Sequence, residues 1–187
     1  MNRSLLALCY QTWHMKTFRL LLLLLLVSGI VAFSFKSTQI EYVCTPCGSD
    51  CDKQVHTKGG VCEVCNMALV DKKTVKFKSI SPKQVCDFLK DSSIVVLDVR
   101  TPGEYNGSTG TNYGHIKGAL NIPIQDLEKR IGELDNVKDK QILVYCSHSH
   151  RSPRASYMLN THGFNNVTNM DGGMSVWDPS CSKWLVK

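Results

Sequence analysis

The stretch VYCSHSHRSPRASYML, residues 144–159, sets a cysteine, two histidines and two arginines between an apolar run and a helix-like sequence. A thiol at the carboxyl end of a buried strand occupies the place where open α/β sheets gather functional groups. Ser152-Pro153 reads as an N-cap followed by a proline at the first helical position, so residues 147–151 form a tight loop pouring into a helix N-terminus. Backbone N–H groups there point toward the Cys146 sulfur and toward any anion beside it. With Arg151 nearby, such a setting is expected to lower the thiol pKa from its free value of ~8.5 and make Cys146 a nucleophile at neutral pH. A buried strand-end cysteine with a solvated basic loop is the plainer alternative, but packing alone gives little reason for the polar loop and the cap.

The elements that position this loop are legible in the hydrophobic pattern. SIVVLDVR and QILVYC are short continuous apolar runs of the kind buried parallel strands show, ALNIPI is a shorter candidate, and NVTNM supplies a last strand. Helical spacing appears at Val85, Phe88 and Leu89 behind a Ser81-Pro82 cap, at Ile124, Leu127, Ile131 and Leu134, and from Ser152 to about His162 before a Gly163 stop. Strands alternating with helices predict an α/β domain with a mostly parallel sheet. Cys86, beside the first apolar stripe, is expected to be a packing residue. Asp98 and Arg100 end a second strand, and Asp98 reads either as an orienter of the loop through Arg151 or as a simple turn carboxylate.

Four of these stretches, LDVRTPGEY, GHIKGALNIP, VYCSHSHRS and GFNNVTNMDGGMSVW, follow one another in an order that resembles a single-domain rhodanese across about residues 74–180. The resemblance implies a doubly wound parallel sheet and a sulfurtransferase. Cys146 would attack a sulfane-sulfur donor such as thiosulfate, hold the sulfur as a persulfide, and pass it to a thiol or cyanide acceptor. It also implies that the loop of Ser147, His148, Ser149 and His150, together with Arg151, Ser152, Asp98 and Arg100, binds or frames the small anionic donor. Glu104 and His115 match family positions read as mainly structural. The related cell-cycle phosphatases carry five residues between cysteine and arginine, whereas four stand here, which favours sulfur over phosphate transfer. Ser149 stands where rhodaneses usually carry Gly, at a backbone position expected to prefer positive φ. The segment NGSTGTNY adds residues before Gly114-His115 and is expected to form a surface loop. His148 and His150 read as polar filler, with tuning of the persulfide and metal binding left open.

A second chemistry lies upstream. Five of the nine cysteines fall between residues 44 and 65, as Cys44-x2-Cys47, Cys51 and Cys62-x2-Cys65. Paired knuckles of this spacing suit a thiolate cage built from Cys44, Cys47, Cys62 and Cys65, with Cys51 and His56 as spare candidates. Soft sulfur ligands leave Zn²⁺ and Cu⁺ both open, and a pair of disulfides is the alternative in an oxidising compartment. The run YVC…GGVCEVCNMALV resembles the small heavy-metal-binding domain found near metal-efflux proteins, with its second ligand region altered.

Composition bounds the rest. The formal charge of +6 includes Arg3, Lys16 and Arg19, which precede residue 36 in a segment without Asp or Glu, and setting those three aside leaves +3. No dense Lys/Arg block remains to suggest a nucleic-acid partner. MKTFRLLLLLLLVSGIVAFSF, residues 15–35, has the basic flank, apolar run and small-residue spacing of an export signal, and an uncleaved anchor is the other reading. The expected organisation is a signal or anchor at 1–35, a cysteine-rich metal-binding module at 41–72 and a rhodanese-like domain at 74–187, delivered outside the cytoplasm, periplasmic or anchored there, and touching a membrane only through the N-terminal segment. A non-catalytic rhodanese-like domain in a metal-handling or scaffolding protein is the competing function.

Overall fold

Two strand-helix patterns meet in the computed structural model, which describes residues 39–187 and the single position Arg19. The expected signal or anchor at 1–35 lies outside the described residues, save Arg19. Among the described residues no helix is long and apolar enough to cross a membrane.

The chain opens with four short strands, β1 (Tyr42–Cys44), β2 (Val55–His56), β3 (Gly60–Val61) and β4 (Ala68–Asp71). They pair antiparallel in the order β2-β1-β4-β3 around the upstream cysteines. The chain continues with β5 (Lys78–Ile80), α1 (Pro82–Phe88), β6 (Val95–Asp98), the single turn α2 (Pro102–Tyr105), β7 (His115–Ile116), β8 (Leu120–Asn121) and α3 (Ile124–Arg130). It ends with β9 (Ile142–Tyr145), α4 (Arg151–Thr161), β10 (Val167–Met170) and β11 (Leu185–Val186). Five strands form an entirely parallel sheet in the order β5-β10-β9-β6-β8, which puts β9 at its centre.

Alternation along the strands divides the core into two layers. Leu97, Ile142 and Val144 pack with Leu127, Leu134, Ala155 and Leu159 on one face. Val96, Leu143 and Tyr145 pack with Val85, Leu89, Met170 and Met174 on the other. Helices therefore cover both faces, as a parallel sheet requires when neither side can be left to water.

At three places the local structure departs from the expected pattern or adds to it. The stripe through Leu134 does not continue as one helix: α3 gives way to a 3-10 segment, Ile131–Val137, where Gly132 weakens the helical preference, although Leu134 still reaches the core. Helix α4 starts at Arg151 with His150 as N-cap, so Ser152 is not the cap. Pro153 is tolerated at the third helical position because first-turn N–H groups have no intrahelical acceptor to lose. Third, Lys78–Ile80 is a strand, concealed in sequence by lysines that suit an exposed sheet edge.

Cys86 also departs from its expected role, since it is disulfide-bonded to Cys181 with Cα atoms 5.2 Å apart. The bond ties α1 to the 3-10 segment Pro179–Trp184 and closes a loop with a sequence separation of 95. Closing so long a loop removes much unfolded-chain entropy. Replacing both cysteines by Ala is expected to lower stability by about 2–4 kcal/mol, read as a shift in the denaturant midpoint, and non-reducing peptide mapping of the unmodified protein should recover Cys86 joined to Cys181.

Candidate active site

Strand β9 delivers Cys146 to the carboxyl edge of the sheet, where the chain bends through Ser147–His150 before α4 begins. The turn after β10 fixes the loop from outside, with Met174 N–H donating to the Cys146 carbonyl at 2.9 Å and Ser175 N–H to the Ser147 carbonyl at 2.9 Å. Across a trans peptide the next N–H points opposite the carbonyl, so these two bonds turn the amides of Ser147 and His148 the other way. Among the described residues, the N–H groups of 147–150 find no backbone acceptor. Gly173 makes the close approach feasible: at φ 63° it lies so near the Cys146 and Ser147 backbone that any Cβ would overlap it.

The Cys146 thiol is buried, and the Ser152 hydroxyl donates toward its sulfur at 3.4 Å. Ser149 takes φ 61°, the left-handed conformation expected of the position that is Gly in rhodaneses. Its hydroxyl is buried without a hydrogen-bond partner. His148 and His150 are exposed, and the Nε2 of His148 lies 3.3 Å from the hydroxyl of Tyr113. Tyr113 comes from the inserted NGSTGTNY segment, so that segment contributes to the rim of the site.

Arg151 is held differently from the expectation that coupled it to Asp98. Its two terminal nitrogens donate to the Glu104 carboxylate at 2.6 and 2.7 Å, and one of them also reaches the Ser147 hydroxyl at 3.2 Å. Ser147 in turn donates to Glu104 at 2.9 Å. Glu104 is fixed by a capping box, accepting from the Thr101 N–H at 3.0 Å and the Thr101 hydroxyl at 2.9 Å. The Arg151 bond first, then the Thr101 and Ser147 donors, hold the Glu104 carboxyl well below the usual carboxylate range against the opposing effect of burial. The T-x-x-E spacing was the available sequence clue to this anchoring role.

Asp98 and Arg100 are fully buried and serve each other. The Arg100 guanidinium donates to Asp98 at 2.6–3.0 Å and to the Gly114 carbonyl at 2.8 Å. These contacts brace the β6 end and leave neither residue bonded to Arg151.

Cys146 is thus a buried thiol followed by a loop whose amides have no backbone acceptor among the described residues, with four residues between it and the clamped Arg151. The rhodanese-like domain family matches residues 81–179, more than half of the chain. The chain belongs to that family. It is 33% identical over 101 residues to the thiosulfate sulfurtransferase GlpE of Shewanella oneidensis, covering 54% of this chain and 92% of that protein. The putative sulfur carrier protein YrkF of Bacillus subtilis is 30% identical over 142 residues, covering 76% of this chain and 69% of that one. The uncharacterized B. subtilis protein YqhL is 39% identical over 82 residues, and this chain spans 59% of its length. Among solved structures, a rhodanese-related protein from Thermoplasma volcanium aligns with a TM-score of 0.46 at 32% identity, covering 54% of this chain and 90% of that one.

The rhodanese loop generates two predictions. Glu104→Gln should weaken the clamp by about 1–3 kcal/mol at neutral pH, the scale of a charged hydrogen bond. Because the folded-state pKa of Glu104 is depressed, its contribution is fully present above the unfolded value of ~4.3 and is lost as pH falls below it. Urea unfolding at pH 7 and pH 3 should therefore show a smaller acid-induced loss in Glu104→Gln than in the unmodified protein. Ser149→Gly should relieve the left-handed backbone and remove an unpartnered hydroxyl, raising stability by about 1 kcal/mol in a thermal melt.

Proposed function

We propose that the protein is an extracytoplasmic sulfurtransferase that carries sulfane sulfur as a persulfide on Cys146. The observation that carries this reading is the buried Cys146 thiol facing a four-residue loop whose amides are free of backbone acceptors. The names of its relatives GlpE and YrkF refer to thiosulfate sulfur transfer and sulfur carriage, which supports the same class of chemistry.

In the first half-reaction the Cys146 thiolate attacks the outer sulfur of thiosulfate. A new S–S bond forms to Cys146, the bond to the sulfonate sulfur breaks, and sulfite leaves with that electron pair. In the second, a thiolate or cyanide attacks the terminal sulfur, taking it as a persulfide or thiocyanate and returning the Cys146 thiolate. Neither step needs a separate general base once the thiolate is present; both need donors for the anionic donor and for the terminal sulfur. The amides of residues 147–150 and the Ser152 hydroxyl supply them. Arg151, committed to Glu104, acts as a positioning residue that keeps the loop wound. Asp98 and Arg100 brace the strand behind it.

Delivery outside the cytoplasm rests on the apolar segment at residues 15–35 and accords with the Cys86–Cys181 disulfide, since such bonds persist in oxidising compartments.

Thiosulfate treatment followed by peptide mass spectrometry should place one added sulfur on the Cys146 peptide, and cyanide should discharge it as thiocyanate. Cys146→Ser should abolish both. Arg151→Ala should slow sulfur loading, with only partial recovery in Arg151→Lys, because an ammonium cannot reproduce the forked pair with Glu104. Absence of the adduct, or the same adduct in Cys146→Ser, would sink the proposal and leave a non-catalytic domain.

A further inference from the structure

The upstream cysteines form a cluster unrelated to the sulfur-loading loop. Cys44, Cys51, Cys62 and Cys65 bring their sulfur atoms within 4.8 Å of one another. A tetrahedron with Zn–S bonds of ~2.3 Å has edges of ~3.8 Å. The cluster fits that shape, and its closest pair, Cys44 and Cys65 at 3.0 Å, would separate by less than ~1 Å around an ion.

The local backbone favours metal ligation at Cys62 and Cys65. Cys62 N–H donates to the Met67 carbonyl at 2.8 Å, and Asn66 N–H to the Cys62 carbonyl at 2.9 Å. Asn66 at φ 57° makes the tight turn that closes this knuckle. The turn brings the Cys62 and Cys65 sulfurs into one group with those of Cys44 and Cys51.

Cys47 is engaged elsewhere. Its Sγ–H donates toward the Ser49 hydroxyl at 3.3 Å and the Asp52 carboxylate at 3.7 Å. The same carboxylate accepts from the N–H groups of Cys47 at 2.8 Å and Gly48 at 2.7 Å. Cys47 therefore belongs to the Ser49–Asp52 loop, and its sulfur stands outside the group formed by Cys44, Cys51, Cys62 and Cys65. Cys47, Cys51 and Asp52 are also close together, but that group offers three donors, one of them oxygen, and shares Cys51 with the larger cluster. Four sulfurs suit a zinc-type ion better.

We infer that Cys44, Cys51, Cys62 and Cys65 hold one Zn²⁺ ion in a closed tetrahedral site, with Cys47 and Asp52 bracing the loop outside it. The site replaces the Cys47-containing set expected from the two C-x2-C pairs. Its role is structural. The buried interior here consists of Cys44, Cys47, Cys51, Cys62 and Met67, with Cys65 and Leu69 against it. Strands of two to four residues around so little apolar surface need an ion to supply cohesion. The inference stands independently of sulfur transfer at Cys146.

The full chain, purified reduced and dialysed against metal-free buffer, should retain about one equivalent of zinc by elemental analysis. Cys47→Ser should keep that zinc through a chelator challenge that strips Cys51→Ser. Cys51→His should restore much of the retention, since imidazole also ligates zinc. Replacing zinc by Co²⁺ gives a second readout, because sulfur-to-cobalt charge-transfer absorption should be unchanged in Cys47→Ser and reduced in Cys51→Ser. Cooperative thermal unfolding in each variant checks that the rest of the chain is folded. Zinc lost from Cys47→Ser but kept by Cys51→Ser would overturn the assignment. So would a native protein whose cluster cysteines are joined as disulfides and bind no zinc after reduction.

Discussion

The loop that frames Cys146 can stay wound only because its outer side is occupied. A ring of amides directed at one point exposes carbonyls on its other face, and those carbonyls must find donors or the loop will turn over. Met174 and Ser175 satisfy two of them, and the Arg151–Glu104 pair draws the end of the loop toward α2. With both terminal nitrogens on Glu104, the arginine contributes geometry, and under the proposed sulfur chemistry recognition of an anionic donor would fall to backbone dipoles. Such dipoles are already oriented and need no rearrangement as charge moves from thiolate to persulfide.

The same logic explains the buried Asp98–Arg100 pair. A fully desolvated ion pair is seldom a net source of stability, because both charges leave water. Here the guanidinium also takes the Gly114 carbonyl, and the Asn121 amide caps the carbonyls of Asp98 and Arg100 at 3.1 and 3.0 Å. The pair therefore specifies where β6 ends and how the next segment leaves the sheet. That exit carries Thr101 and Glu104, hence the clamp on the cysteine loop.

Much of this was legible in the sequence. Continuous apolar runs announced β6 and β9, and the Cys146 loop was marked by its position between β9 and α4. The positive φ of Ser149 followed from knowing that Gly usually stands there. What escaped was pairwise and long-range. Asp98 and Glu104 are both carboxylates near strand ends, and only the folded path of α2 decides which one meets Arg151. Lys78–Ile80 escaped because an edge strand facing water carries the charges that otherwise mark a loop. Cys86 and Cys181 lie far apart in sequence, so neither local spacing nor hydrophobic period could pair them. For Cys47 and Cys51 the spacing itself misled: two equal C-x2-C pairs suggest symmetry, but Asp52 holds Cys47 and turns Cys51 inward.

The described cysteines thus have four environments, and the differences matter because sulfur chemistry spreads. A thiolate attacks disulfides and can take sulfur from a persulfide, at rates set by access and protonation. Among the described residues, six free thiols stand beside one disulfide. Cys181 is the buried residue of the 3-10 segment Pro179–Trp184, and Cys47 is hydrogen-bonded to Asp52. Binding four of the six free thiols to one ion would lower their nucleophilicity and leave, besides Cys47, only the Cys146 thiol among them unligated. If both proposals hold, the upstream ion would serve selectivity as well as folding, by making the cysteine cluster a poor acceptor for sulfur carried on Cys146.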